Sequence, residues 1–142
     1  MPDLHNLHIF TDGGSRGNPG PAAIAILIFD EKEKLLQRHS EFIGTATNNV
    51  AEYRAVLKAL KLAARFKPKK VLCTLDSQVV QSQLDGSYKV KQEHLKELFF
   101  MVKDAERNFQ KVIYRHVPRE NKNIVEADEM LNCMLDRVSG KH

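Results

Sequence analysis

An α/β fold on a mixed five-stranded sheet is the architecture this sequence predicts. Three observations point to it. The first three strand-like segments are joined by short turns, which makes an antiparallel meander. A strand–helix–strand crossover follows, and that connection implies parallel pairing. No internal repeat, low-complexity tract or long linker divides the 142 residues, so one domain over 1–142 is expected, long enough to bury a real core.

Residues 5–12, HNLHIFTD, read as a strand that ends in a turn at Asp12. GGSRGNPGP is dense in Gly and Pro and reads as a tight connection. AAIAILIFD is a buried strand, followed by a charged turn from Glu31 to Lys34. LLQRHSEFIG alternates as a half-exposed third strand. TNNVAEYRAVLKAL opens the first helix, with Val50, Tyr53, Val56, Leu57, Leu60 and Ala64 on one face, and Pro68 ends it. KKVLCTLD is a compact apolar strand, and SQVVQSQLDG a short helix closed by Gly86. EHLKELFFMVKDAERNF is a longer amphipathic helix with Leu95, Leu98, Phe99, Val102 and Ala105 inward. KVIYRHVP is the fifth strand and RENKN a polar loop. IVEADEMLNCMLDRV is the terminal helix, its apolar face carrying Ala127, Met130, Leu131, Met134, Leu135 and Val138. The expected order is β-β-β-α-β-α-α-β-α.

Composition narrows the function classes. The 42% hydrophobic and 28% charged content is that of an ordinary globular protein. No apolar run approaches the roughly 20 residues that span a membrane. The N-terminus MPDLHNLHIF lacks a signal peptide's basic stretch and apolar core, and the C-terminal SGKH matches no address motif. A cytoplasmic monomer that does not meet a membrane is expected. Cys73 and Cys133 form no CxxC and lack partners at zinc spacing, so both are expected to be reduced and buried. The net charge of +4 permits nucleic-acid binding without demonstrating it. The basic cluster Arg115, Arg119 and Lys122, like the others, reads by itself as a solvated face.

Four acids stand where elements begin or end: Asp12, Glu52, Asp76 and Asp128. Such places often hold sites in α/β sheets. Each also has a structural reading. Asp12 can be a turn former before Gly13 and Gly14. Asp76 can cap the helix that follows it. Glu52 lies three residues after Asn49, the spacing of a capping box. Asp128, with Glu126 and Glu129, suits a helix N-terminus through the dipole. Spacing alone leaves both readings open. The glycine loop is no phosphate cradle, because it lacks GxxxxGK[ST] and a strand follows it.

The stretches TDGGSRGNPGPAA, TNNVAEYRAVLKAL, TLDSQVV and HVPRENKNIVEADEMLN occur in this order over nearly the whole chain. Together they resemble the type 1 ribonuclease H family. The resemblance implies the RNase H-like fold and hydrolysis of the RNA strand of RNA/DNA hybrids by two Mg²⁺ ions, with Mn²⁺ as a possible substitute. It implies that Asp12, Glu52, Asp76 and Asp128 are catalytic and hold metal. It implies that Asn18, Asn48, Asn49 and Ser77 approach the hybrid or its phosphates, and that Thr47 meets the DNA backbone. His116 resembles the family's histidine that assists proton transfer or product departure. Two departures matter. HVPRENKNIVEAD is two residues longer between His116 and Asp128 than the family's frequent pattern. DGSYKVKQE is too short for the basic helix that some members use as a substrate handle, so this is a compact form.

The chemistry suits these residue types. Two ions roughly 3.5–4 Å apart stabilise both the attacking and the leaving oxygen of a phosphodiester. Mg²⁺ prefers hard oxygen ligands. Without metal the acids repel one another, and at least one carboxyl pKa should rise. Selectivity must come from the 2′-hydroxyl in the shallow minor groove. Two rival readings are a nuclease of the same fold that cuts double-stranded RNA or DNA, and a hybrid-binding module without catalysis.

Overall fold

The computed structural model describes residues 5–140. Readings of Met1–Leu4 and of Lys141 and His142 lie outside the described residues. The elements follow the expected order: β1 (Asn6–Ser15), β2 (Gly20–Phe29), β3 (Leu35–Ala46), α1 (Asn48–Ala64), β4 (Lys70–Leu75), α2 (Gln78–Leu84), α3 (Glu93–Ala105), β5 (Lys111–His116) and α4 (Lys122–Val138). The sheet order is β3-β2-β1-β4-β5. β1, β2 and β3 pair antiparallel, whereas β1, β4 and β5 pair parallel. β1 is thus the central strand, where the two halves meet.

The alternation in β2 explains how both faces of the sheet are covered. Successive strand side chains point to opposite faces. Ile24, Ile26 and Ile28 face the main core, among Tyr53, Val56 and Leu60 of α1 and Leu95 and Val102 of α3. Ala23 and Ala25 face the other way, against Ala127, Leu131 and Leu135 of α4. Leu27 joins Phe10 and Ile124 on that same face. Each large aliphatic side chain so buried contributes roughly 1.5–3 kcal/mol. The alanines remove bulk and let α4 lie close to the sheet.

The structure corrects several boundaries. β1 does not end at Asp12; it continues to Ser15, with Gly13 opposite Ile24 and Gly14 opposite Ala23. α3 ends at Ala105, and a 3₁₀ turn over Glu106–Asn108 replaces its expected last turn. α4 begins at Lys122 because Asn121 caps it, its Oδ1 accepting from the Asn123 and Ile124 N–H groups. Val138 and Cys133, both expected to be buried, are exposed. Cys73 is buried, and both thiols are free. Among the described residues, no helix is long and apolar enough to cross a membrane.

Candidate active site

Gly13 is the residue around which the site assembles. It has the parity of Ile9 and faces α1. A Cβ added there would run into the carbonyl group of Ala51 and stand 2.6 Å from the Glu52 nitrogen. The glycine is needed for close approach of a helix backbone to a strand, not for a turn. That approach brings the Glu52 side chain to β1, where its Oε1 accepts from the Gly13 N–H at 3.3 Å. Glu52 Oε2 is buried without a hydrogen-bond partner.

Neither Glu52 nor Asp76 is a cap. Thr47 caps α1, its Oγ1 accepting from the Val50 N–H at 3.2 Å. Ser77 caps α2 in the same way, accepting from the Val80 N–H at 3.3 Å. Asp76 is left free at the C-terminal end of β4. Asp12 is not a turn former either, since it lies within β1. It has the parity of Phe10 and faces α4. Asp12, Glu52 and Asp76 can each offer one carboxylate oxygen such that all lie within 4.8 Å of one another. Asp128, in the second turn of α4, lines the same cleft of about 460 Å³ but stands outside that tight trio.

Burial and crowding set the charge state. Asp12 is only 7% exposed; burial first, then the negative charges of Asp76 and Asp128, push its carboxyl from 3.8 to about 7. Burial, with Asp12 and Asp76 adding to it, holds the Glu52 carboxyl well above its ordinary range. Burial raises Asp76 as well, against the opposing pull of the Arg119 guanidinium. The acids cannot all ionise alone at neutral pH. Hard oxygens, crowded charge and the orphaned Glu52 Oε2 fit a hard divalent cation, and these residues could hold one.

The other predicted residues divide by place. Asn48, Asn49 and Ser77 line the cleft beside the acids. Asn18 is one step removed, its Oδ1 accepting from the Asn48 N–H at 3.1 Å. Thr47 is a half-buried cap and does not line the cleft. His116 is exposed at the end of β5, outside the lining, where its Nε2 donates to the Asp76 carbonyl at 3.1 Å. Arg16, Arg119 and Asn132 line the cleft without having been singled out. Arg119 stood in a cluster that reads as a solvated face. Its signal was position, between His116 and Asp128 in the chain.

The chain is similar to known proteins along nearly its whole length. A family model described as reverse transcriptase-like matches residues 10–128. The bifunctional protein Rv2228c of Mycobacterium tuberculosis is 35% identical over 132 residues, 92% of this chain and 36% of that protein. Ribonuclease HI of Halobacterium salinarum is 35% identical over 130 residues, 92% of this chain and 64% of that enzyme. The chain therefore spans about a third and just under two thirds of these relatives' lengths. The solved structure of LC11-RNase H1 in complex with an RNA/DNA hybrid superposes with a TM-score of 0.87 at 39% identity, covering 93% of this chain and 98% of that one. With its five-stranded sheet, its acids in β1, in α1 and just past β4, and these likenesses along nearly its whole length, the chain belongs to the ribonuclease H family.

Proposed function

We propose that the chain is an endoribonuclease that hydrolyses the RNA strand of RNA/DNA hybrids with divalent cations, Mg²⁺ or Mn²⁺, two to a site. The observation that carries the reading is the trio of buried or half-buried carboxylates within 4.8 Å, set in a cleft whose walls bear amides and guanidinium groups. Asp12, Glu52, Asp76 and Asp128 would hold the cations. When bound, such a pair supplies Lewis-acid stabilisation of the attacking and leaving oxygens.

The chain's own residues do the rest. The proton that Asp12 retains near neutral pH must leave before the cleft accepts a cation, so affinity falls as pH drops below about 7. Burial of Asp12 and Glu52 keeps water from screening their charge. The Asn48 and Asn49 amides offer both donors and acceptors to a 2′-hydroxyl, which DNA lacks. Ser77 and Arg119, which line the cleft, would face the phosphates. Asn18 orients Asn48, and Thr47 fixes the first turn of α1 from behind. His116, tied to the Asp76 carbonyl, stands where a proton or a product crosses the margin of the site. The hybrid bound to LC11-RNase H1 supports the substrate class.

The test uses RNA/DNA, RNA/RNA and DNA/DNA duplexes of one sequence, end-labelled, with Mg²⁺, with Mn²⁺ and with EDTA. Cutting of the RNA strand in the hybrid alone, and only with a cation, is expected. Equal cutting of RNA/RNA or DNA/DNA would reassign the substrate. Tight hybrid binding without cleavage would make the chain a binding module.

A further inference from the structure

Arg16 belongs to the tip of the β1–β2 hairpin, far in sequence from α4. Its Nη2 nonetheless meets α4 at three points. It forms an ion pair with Asp136 Oδ1 at 2.7 Å, and donates to Asn132 Oδ1 at 3.2 Å and to the Asn132 carbonyl at 3.3 Å. Asn132 in turn donates from Nδ2 to the Asp128 carbonyl at 3.0 Å. Asp128, Asn132 and Asp136 are spaced one helical turn apart, so they form a ladder on one face of α4. Arg16 holds the two lower rungs, and the upper rung is the acid that stands outside the tight trio.

We propose that Arg16 is a positioning residue: it locks the rotation of α4 against the hairpin and so sets where the Asp128 carboxylate stands relative to Asp12. The hairpin is a firm anchor. Arg16 N–H donates to the Pro21 carbonyl at 2.9 Å, closing the turn. On its other side Asn48 Oδ1 accepts from the Ser15 N–H at 2.9 Å, which ties the same hairpin to the start of α1. One short segment thus fixes two helices that carry acids. α4 is also held by Ile124 against Phe10 and Leu27 and by the Arg38–Glu126 ion pair, but its C-terminal half meets small residues of the sheet. Ala23 and Ala25 present a smooth surface to Ala127, Leu131 and Leu135, and small side chains resist rotation weakly. A half-exposed ion pair adds little to stability, so its effect is geometric.

This inference rests on the proposed cation site, and its test does not use cleavage. Mn²⁺ is titrated calorimetrically into intact wild-type protein and into Arg16→Met, Asp136→Ala, Asp128→Asn and the Arg16→Met/Asp128→Asn double variant, without nucleic acid. Arg16→Met and Asp136→Ala should each weaken cation binding by about 3–10-fold, below the usual loss for a partner in direct contact with a ligand. Arg16→Met should add nothing once Asp128 is Asn. Additive losses in the double variant would overturn the proposal, as would Asp136→Ala binding the cation as tightly as wild type. Circular dichroism checks the fold; if Arg16→Met does not fold, Asp136→Ala, which keeps the cation at position 16, and its combination with Asp128→Asn decide the matter. Hybrid cleavage by wild type is measured alongside: a protein that binds Mn²⁺ yet leaves the hybrid intact refutes the nuclease reading and leaves the cycle of variants decisive for Arg16.

Discussion

Replacing the central acid should make the cation-free protein more stable at pH 8. Burial and the neighbouring acids hold the Asp12 carboxyl at about 7 instead of 3.8. The folded state therefore binds a proton more tightly than the unfolded chain. Stability from this group is present below the unfolded value and is lost as pH rises through about 7. At roughly 1.4 kcal/mol for each pH unit, full ionisation at pH 8 costs the folded state roughly 4 kcal/mol. Because the acids share that cost, about 2 kcal/mol is expected to be recovered by Asp12→Asn, or about 6 °C in Tm for a chain of this size. Near pH 4 the variant and wild type should melt within about 1 kcal/mol of each other, since Asn mimics the protonated Asp of the folded state. Scanning calorimetry in EDTA from pH 4 to pH 8 reads both limits. With millimolar Mg²⁺ the order should narrow or reverse, because the cation stabilises only a protein that binds it. A variant that melts below wild type at pH 8 in EDTA would refute the charge-crowding account of the site.

Glu52→Gln should keep the melt near or above wild type, because Gln can still accept from the Gly13 N–H, while hybrid cleavage falls by orders of magnitude; near-normal cleavage would remove Glu52 from the cation site. His116→Ala should lower turnover by about 10²-fold or less, the lower range of general acid–base assistance, and full activity would leave the histidine only its tie to Asp76. Gly13→Ala should destabilise by more than about 3 kcal/mol, since its methyl meets helix backbone that cannot yield; a denaturant midpoint near wild type would show that α1 can retreat from β1.

The element order was legible because periodicity records which faces are buried, and β2 and α1 bury theirs fully. Thr47, Asn48 and Asn49 are all good capping residues, so the cap could not be assigned to Thr47 from spacing, and Glu52 was left with two readings. Gly13 and Gly14 have the chemistry of a turn and of a close approach alike. For Gly13 only the position of Ala51 decides between them, and that is a tertiary fact, whereas Gly14 has ordinary room beside Leu131 and Asn48. The four acids were visible as candidates because they flank element ends. Their grouping, three within 4.8 Å and Asp128 brought to the same cleft by another helix, depends on how α4 sits on the sheet. The bridge from Arg16 to Asp136 joins residues almost a whole chain apart and leaves no local trace.

The two faces of the sheet are unequally held. α1 and α3 share the large core with β1, β2 and β4, whereas α4 rests on two smaller clusters, one of alanines and leucines and one of Ile124 with Phe10 and Leu27, and on the ion pairs to Arg16 and Arg38. Sub-global opening follows such differences, with the thinly packed layer detaching at lower free energy than the rest. Of the four acids, only Asp128 rides on that layer. Opening of α4 alone would carry Asp128 out of the cleft and leave Asp12, Glu52 and Asp76 in place.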